Sequence, residues 1–277
     1  MTTPSTDSTQ LGHWQTLRFG ISVGWMIVLL TWEGVSPYLS FFASHRDRLV
    51  HASRNWLMAV FNSLLVASCF SAIWLWASHW SADHHFGLWR MFTFPVPFTA
   101  IASLLLLDLW TYAWHRLNHA LPFLWRFHRM HHSDLHMDVS TANRFHFGEI
   151  AFSSVLRIPL ILILGLDFWQ LVVYETALQF VVQLHHANVT LPRGWETVLS
   201  MILVTPMIHK IHHSRVPAET DSNYASLFSF WDRLFGSFRR RESMEGIEYG
   251  LAGFDAENRQ NIAGLLNTPR LPTRASE

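Results

Sequence analysis

Residues 91–119 read MFTFPVPFTAIASLLLLDLWTYAWHRLNH, and this stretch decides what kind of fold the chain adopts. It contains no Asp, Glu, Lys or Arg from residue 91 to 107 and stays apolar to about Ala113, which is long enough to cross the hydrocarbon core of a membrane. His115 and His119 follow four residues apart, so a continuing helix presents both imidazoles on one face. The stretch therefore predicts a membrane helix that ends in a pair of histidines.

Three further regions are apolar over a comparable length. The only charged residue in 19–44 is Glu33, and residues 55–82 contain none. The fourth apolar region, residues 150–182, is interrupted by Arg157, Gly165, Asp167 and Glu175. Because the two halves of this region are short for membrane crossings, a helical hairpin that dips into the membrane fits the sequence as well as two complete spans.

The composition agrees with a membrane protein and excludes several other classes. Hydrophobic residues make up 50% of the chain and charged residues 14%, whereas soluble domains carry about 25% charged residues. Lys+Arg and Asp+Glu balance at 20 each, so no basic surface for nucleic acid is indicated. The single cysteine, Cys69, excludes a disulfide framework, a cysteine zinc site and an iron–sulfur cluster. Any bound metal must therefore be held by nitrogen and oxygen.

Twelve of the 18 histidines lie between residues 115 and 213, and most of them are grouped. After the pair in 115–119 come His128-Arg-Met-His131-His132, the adjacent pair His185-His186, and His209-Lys-Ile-His212-His213. Residues three and four apart share a helix face, so each His-x-x-His-His group directs its imidazoles to one side. Because unpaired imidazoles are costly to bury, the spaced groups are predicted to bind metal, for which neutral imidazole is the commonest protein ligand.

The number of these histidines indicates two metal ions. The three spaced groups supply eight nitrogens, and His185 and His186 raise the number to ten. A zinc ion takes about four ligands, so one ion is too few, and two ions with about four or five nitrogens each fit. Iron is favoured for such expanded shells, with zinc as a substitute, although the spacing leaves the metal open. The remaining early histidines are interpreted as incidental interfacial residues: His13, His45, His51, His79, His84 and His85.

These motifs, taken in order, resemble the membrane sterol desaturase / fatty acid hydroxylase superfamily. The resemblance runs from about residue 106 to residue 237. It rests on DLWTYAWHRLNH (108–119), WRFHRMHHS (125–133), DVSTANRFHFGE (138–149), HHANV (185–189), TPMIHKIHHS (205–214), DSNYA (221–225) and FWDRLFGS (230–237).

The resemblance implies an O2-dependent membrane oxidase with a histidine-bound dimetal centre, taken to be di-iron. It implies a lipid substrate such as a sterol, a fatty acyl chain or an ether lipid, and leaves hydroxylation and desaturation both open. It also implies an external electron donor, which is cytochrome b5, ferredoxin or a reductase. Matched motif by motif, the ligands are His115, His119, His128, His131, His132, His186, His209, His212 and His213, with His185 carried over less directly.

Several polar residues are predicted to orient the ligand histidines. Asp108 lies one and two turns before Tyr112 and His115, so its carboxylate is placed to accept the second N–H of a ligand imidazole. The other candidates for this role are His136, Asp138, His146, Asn188, Asp221 and Asn223.

The predicted fold is all-α, a multi-pass transmembrane helical protein with a cytoplasmic helical cap that carries the histidine-rich dimetal site. It divides into a polar N-terminal tail (1–17), three transmembrane helices (18–113), a catalytic region with a membrane hairpin at 150–184 (114–241) and a solvated polar C-terminal tail (242–277). Arg46, Arg48 and Arg54 follow the first apolar segment, and only Arg90 follows the second. The positive-inside rule therefore places the N-terminus outside and the histidines in the cytoplasm of an integral membrane protein.

Two other classes of protein remain as alternatives. A membrane zinc hydrolase of the zincin type needs His-Glu-x-x-His, and this string does not occur in the sequence. A histidine-rich metal transport or binding protein would place its ligands within the spanning segments, whereas here they follow the third one. A haem protein needs only one or two axial histidines and leaves the others unexplained.

Overall fold

The computed structural model describes residues 8–272, with side chains described from Thr16 onward except that of Arg18. Predictions for residues 1–7 and 273–277, and for the His13 side chain, lie outside this part of the chain. The described residues form helices and loops, and their β-structure is limited to two isolated β-bridges. The α-helices are α1 (Ser8–Val35), α2 (His45–Cys69), α3 (Ser71–Asp83), α4 (Leu88–Met91), α5 (Val96–Ala120), α6 (Pro122–His132), α7 (Phe147–Leu164), α8 (Phe168–His186), α9 (Arg193–Leu199), α10 (Pro206–His212), α11 (Pro217–Thr220), α12 (Phe230–Leu234), α13 (Glu257–Gln260) and α14 (Ile262–Leu266), and the 3-10 helices are Val139–Asn143 and Thr268–Arg270. The prediction of an all-α fold is confirmed.

The helix α5 joins the membrane-length part of the chain to the histidines. It has Pro97 in its first turn, where the missing N–H of proline leaves no helical hydrogen bond unmade. It runs unbroken from Val96, five residues into the predicted apolar segment, and carries His115 and His119 near its C-terminal end. Leu121 then adopts an extended conformation, which is favoured before proline, and α6 begins at Pro122.

Within the described residues, two helices, α5 and α7, are long and apolar enough to cross a membrane by length and composition. The span expected at 55–82 is broken at Phe70, where α2 and the segment Ser71–Met91 meet at a bend of 41°. Counting this bent pair as one span raises the number to three. At the first expected span, α1 contains the shorter apolar segment Phe19–Val35 and begins before it, at Ser8. Within 18–113, the described residues thus contain α5 as one continuous helix of membrane length and the bent pair as a further candidate, and the division into three spans stays a prediction.

These helices expose large aliphatic side chains on their outer faces. Leu64 of α2 is 60% exposed, Ile101 of α5 is 63% exposed and Ile163 of α7 is 62% exposed. Contiguous apolar exposure on neighbouring helices is unfavourable in water and favourable against lipid. The helices therefore indicate association with a membrane.

The polar residues that interrupt the apolar region 150–182 are paired or placed at its turn. Arg157 of α7 forms an ion pair with Glu175 of α8, so the two charges neutralise each other between the helices. Asp167 at the start of α8 lies 2.6 Å from an Arg90 guanidinium nitrogen. Gly165 ends α7 in the left-handed conformation with φ of 69°, which glycine adopts without strain. The region therefore folds as the hairpin of α7 and α8.

The largest part of the core lies between α3, α5, α7 and α8. Trp74, Leu107, Ile161 and Tyr174 come from these four helices in turn and are all buried. Leu227, from the segment before α12, packs into the same cluster. The histidine-bearing end of α5 is thereby fixed against the α7–α8 hairpin.

The segment 242–272, expected to be part of a solvated tail, instead packs against the rest of the protein. Phe254 and Leu265 are buried, at 3% and 0% exposure. Arg129 of α6 is also fully buried and donates hydrogen bonds to the backbone oxygens of Thr268 at 2.8 Å and Leu271 at 2.6 Å. The expectation was wrong because these sparse apolar residues and carbonyls find their partners more than a hundred residues away in sequence.

Candidate metal centre

Nine of the ten histidines predicted as ligands fall into two groups of ring nitrogens. The five-histidine group consists of His115, His119, His128, His132 and His212, and the four-histidine group of His131, His186, His209 and His213. Within each group, the candidate donor atoms lie within 4.8 Å of one another. His185 belongs to neither group, and its ring stacks on that of His209 with 3.9 Å between centroids.

Helical spacing explains which histidine each helix contributes to each group. The helix α6 places His128 and His132 in the five-histidine group and His131 in the four-histidine group. In α10 and the residue directly after it the division is the opposite, with His209 and His213 in the four-histidine group and His212 in the five-histidine group. Residues four apart lie on one helix face and reach the same group, whereas the histidine next to them reaches the neighbouring one. The two groups are therefore built side by side on shared helices.

Backbone carbonyls fix the proton positions of three rings. The Nδ1 atoms of His115, His186 and His212 donate to the backbone oxygens of Tyr224 at 2.7 Å, Val182 at 2.8 Å and Ser222 at 2.6 Å, respectively. A carbonyl oxygen can only accept a hydrogen bond, so each of these rings carries its proton on Nδ1. In the neutral ring, Nε2 then presents a lone pair, which is the form that binds a metal ion.

The Nε2 atoms converge at distances that fit metal coordination. Those of His115 and His212 lie 3.0 Å apart, and both carry lone pairs, so this contact is repulsive unless a cation lies between them. Contacts of 3.1 Å join the Nε2 atom of His186 to those of His131 and His209. Two nitrogens about 2.1 Å from one ion and about 3.1 Å apart enclose an angle of about 95°, which suits adjacent ligands. The residues present therefore fit a bound metal in each group.

Burial favours the neutral imidazole of His132, His212 and His213. Desolvation, followed by repulsion from neighbouring imidazoles, lowers the pKa of His132 and His213 well below the usual value. Burial also lowers the pKa of His212 to about 3, although its hydrogen bond to Ser222 acts in the opposite direction. Protons do not compete for these rings near neutral pH, so their nitrogens are free to act as ligands.

One of the seven residues predicted to orient ligands contacts a histidine of the two groups. Asp221 Oδ1 lies 3.2 Å from His119 Nδ1. Asp108 instead accepts hydrogen bonds from the Phe228 backbone N–H at 3.0 Å and the Trp231 Nε1–H at 2.9 Å. Asp108 thus anchors the segment before α12 to α5.

In the described residues, the other five candidates form hydrogen bonds and ring contacts with parts of the protein outside the two histidine groups. Asp138 caps a 3-10 helix, and His146 caps α7. Asn188 forms hydrogen bonds with both backbone groups of Leu39, and Asn223 forms them with the backbone of Arg239. The ring of His136 contacts those of Phe41 and Phe42. Proximity in sequence is a poor guide for such residues, because their partners come from distant segments.

Glu149 is the supporting residue that the sequence interpretation missed. Its Oε1 lies 2.8 Å from His128 Nδ1 and accepts a hydrogen bond from Asn118 Nδ2 at 3.2 Å. Its side chain is 7% exposed and comes from the first turn of α7. The available signal was an isolated carboxylate at the end of the 138–149 motif, directly before an apolar helix.

We predict that Glu149→Gln weakens metal binding by the five-histidine group about 10- to 100-fold. The amide is a weaker acceptor than a carboxylate, so His128 becomes a poorer ligand. Asp221→Asn is the matched control, because the Asp221 side chain is 62% exposed and water screens its contact with His119. Metal titration of the two variants checks the difference, and equal losses would contradict it.

His51, interpreted as incidental, belongs to a buried charged network. Its Nε2 atom lies 2.8 Å from Asp134 Oδ1, and Asp134 Oδ2 accepts a hydrogen bond from Thr141 at 2.8 Å. Burial opposes ionisation of Asp134, but the positive charges of His51 and Arg144 hold its pKa well below the usual range. The network fixes α2 to the turn that follows His132, so this histidine has a structural role.

A cavity of about 290 Å³ opens against the two histidine groups. Its wall is formed by α2, α5, α7 and α8 and includes Trp110, Trp114, Ile150, Leu178 and Val182. Its histidine end is lined by His115, His128, His131, His185, His186 and His209. An apolar molecule in this cavity therefore reaches both groups.

Membrane-length helices, two buried histidine groups and a cavity with apolar residues in its wall define a class of histidine-rich, membrane-associated helical proteins. The family model described as fatty acid hydroxylase matches residues 100–237, about half of the chain. The chain belongs to this family, and the resemblance to the membrane sterol desaturase / fatty acid hydroxylase superfamily is confirmed.

Three relatives illustrate the range of the family. The chain is 34% identical over 160 residues to ornithine lipid hydroxylase OlsE of Rhizobium tropici, and the matched region covers 57% of this chain and 47% of that protein. It is 33% identical over 168 residues to alkylglycerol monooxygenase of Homo sapiens, covering 59% of this chain and 36% of the relative. It is 28% identical over 159 residues to cholesterol 25-hydroxylase of Mus musculus, covering 53% and 49%. The chain thus spans less than half of each of these relatives, and no solved structure matches it significantly.

Proposed function

We propose that the chain is a membrane-bound, O2-dependent di-iron oxidase that hydroxylates or desaturates a lipid. The observation that carries the proposal is the division of nine histidines into two adjacent groups at the end of a cavity that has apolar residues in its wall. Alkyl C–H bonds are inert towards acids, bases and nucleophiles, so side chains alone do not attack them. Two irons with O2 would supply the oxidising chemistry, while the protein supplies ligation and positioning.

In this proposal, each histidine group holds one iron, and His185 lines the cavity without binding metal. Imidazole is a suitable ligand for iron and also for zinc, which can substitute for it. The Nδ1 acceptors, among them Glu149 and the carbonyls of Tyr224 and Ser222, hold the rings with Nε2 facing the ions. A single-zinc hydrolase uses about three protein ligands and would leave most of these histidines without a role.

The cavity supports a lipid substrate. Trp110, Trp114 and Leu178 offer an apolar wall, and the ring of Phe145 stacks on that of His131 with 4.3 Å between centroids. The names of the three relatives specify an ornithine lipid, an alkylglycerol and cholesterol, which all contain a long apolar portion. The cavity is small for an entire lipid, so it encloses the reacting portion and leaves the remainder between the helices.

We place the metal centre on the cytoplasmic side and propose an external electron donor. The arginines at residues 46, 48 and 54 support this orientation through the positive-inside rule. Electrons would come from cytochrome b5, ferredoxin or a reductase, as the family resemblance implies. The lipid, the membrane and this donor are the partners in the proposal, and nucleic acid is not.

Lipid mass spectrometry of cells with and without the gene tests the proposed function. We expect a lipid that gains one oxygen or loses two hydrogens only when the wild-type protein is present. Ser153→Trp should abolish this product by filling the cavity, which Ser153 lines. Val155→Trp is the matched control, because Val155 lies on the same helix and is 50% exposed. An unchanged lipid profile, or one zinc per purified chain in place of two irons, would overturn the proposal.

A further inference from the structure

The carboxylate of Glu33 lies far from the family motifs in sequence yet is bound to the segments that carry the ligands. Glu33 is the only charged residue in the apolar stretch 19–44, and it lies outside the family match at 100–237. It is 3% exposed. Its Oε1 accepts hydrogen bonds from the backbone N–H groups of Asn188 at 2.5 Å and Val139 at 2.8 Å. A carboxylate buried on an apolar helix therefore connects two loops near the histidine groups.

One peptide group in these contacts is held from both sides. The N–H of Asn188 donates to Glu33, and the carbonyl of Ala187 in the same peptide group accepts from Lys210 Nζ at 2.6 Å. Lys210 is 0% exposed and is the only lysine of the chain. Hydrogen bonds to charged partners are shorter and stronger than those between neutral groups. The peptide group therefore lies between a carboxylate and an ammonium that hold its orientation.

The clamped peptide group begins one residue after His186. It fixes the C-terminal end of α8 and hence the direction of the His186 ring, whose Nε2 lies 3.1 Å from those of His131 and His209. Lys210 itself stands next to His209 on α10. The clamp thus connects α8 and α10, and these two helices with the residue directly after α10 supply His186, His209 and His213 of the four-histidine group.

We infer that Glu33 and Lys210 are positioning residues for the four-histidine group, and that α1 thereby forms part of the metal centre. This inference rests on the proposed function only in assigning a metal to that group. The two side chains act through the peptide group between Ala187 and Asn188 and make no contact with the substrate in this assignment. Loss of either one lets the end of α8 turn and weakens binding at the four-histidine group, while the five-histidine group keeps its ligands.

The experiment titrates cobalt(II) into metal-free, full-length protein in detergent and follows the visible absorption of the bound ion. His131→Ala and His119→Ala serve as references, because each disrupts one group and leaves the absorption of the other. Glu33→Ala and Lys210→Met should each weaken the binding step assigned to the four-histidine group about 10- to 100-fold. Glu33→Gln keeps an oxygen that accepts from Asn188, so it should restore most of the affinity.

Arg48→Met is the matched control for the charge of Glu33. Arg48 Nη2 lies 2.7 Å from Glu33 Oε2, so its removal breaks an ion pair and leaves the peptide clamp in place. We expect this variant to bind two cobalt ions with wild-type affinity. If Glu33→Ala fails to fold, Lys210→Met carries the same test from the other side of the peptide group.

Four results would overturn the inference. Wild-type metal affinities in both Glu33→Ala and Lys210→Met would show that the clamp does not position the four-histidine group. The proposed oxidase function would be unaffected by that result. Equal losses at both groups, or no rescue by Glu33→Gln, would show that Glu33 only anchors α1. Absence of cobalt binding by the wild-type protein would instead remove the proposed function, and this inference with it.

Discussion

Replacing His131 with alanine is expected to abolish product formation and to lower the metal content from about two ions per chain to about one. The Nε2 atom of His131 lies 3.1 Å from that of His186, within the four-histidine group. Its removal leaves three imidazoles around that ion. Changes to residues that only support a ligand already cost about 10- to 100-fold in affinity or activity, so loss of a ligand itself should cost more. Metal analysis and product assays on the purified variant check the prediction.

His185→Ala is the matched control for this experiment. His185 is as buried as His186, at 1% exposure each, and stacks on His209, but its ring nitrogens belong to neither group. We expect this variant to keep both ions. Loss of one ion from His185→Ala would return His185 to the ligand set, and full activity of His131→Ala would show that the grouping is wrong.

Replacing Asp108 with alanine is expected to lower the free energy of unfolding by about 2–6 kcal/mol, because two donors lose their buried acceptor. These donors are the Phe228 backbone N–H and the Trp231 indole N–H. Tyr174 also donates to Asp108, at 3.4 Å, but keeps its second contact with Thr111. A loss of this size is large relative to the total stability of about 5–15 kcal/mol that is typical of folded proteins. The thermal unfolding midpoint of the protein in detergent measures the effect.

The metal content of the Asp108 variants distinguishes an anchoring role from a ligand-supporting role. Because Asp108 contacts Phe228 and Trp231, folded Asp108→Ala should retain both ions. Asp108→Asn keeps one acceptor oxygen and should lose less stability. Loss of metal without loss of stability would contradict the anchoring role and would support the original prediction that Asp108 orients a ligand.

The sequence predicted which histidines lie together better than it predicted which polar residues contact them. His128 and His132 are four residues apart on one helix, and the distance between them depends mainly on local helical geometry. The contact of Glu149 with His128 depends on how α7 packs beside α6, which no local pattern specifies. The same reason explains why Asp108, which follows an apolar run and precedes His115, anchors a distant loop instead of a ligand.

The structures of the membrane segments and of the C-terminal region also depend on packing that no local sequence pattern specifies. The apolar run in 91–107 forms the continuous helix α5 from Val96 onward, whereas the run in 55–82 is broken at Phe70. Hydropathy reports how apolar a stretch is, and it does not report a bend between two helices. Segment 242–272 is polar in sequence, yet its Leu265 is fully buried against α2 and α6 through contacts with Met58 and Met130.

The sequence by itself determined the all-α class and the candidate imidazole ligands, and it predicts two metal ions. These follow from residue type and helical spacing, which act over a few residues. Only the tertiary structure decided that His131 belongs to the four-histidine group while His128 and His132 of the same helix belong to the five-histidine group. It also decided that His185 belongs to neither group and that Glu33 contacts Asn188, just after the end of α8. Each of these depends on contacts between helices distant in sequence, because the direction in which a side chain finds its partner is fixed by packing.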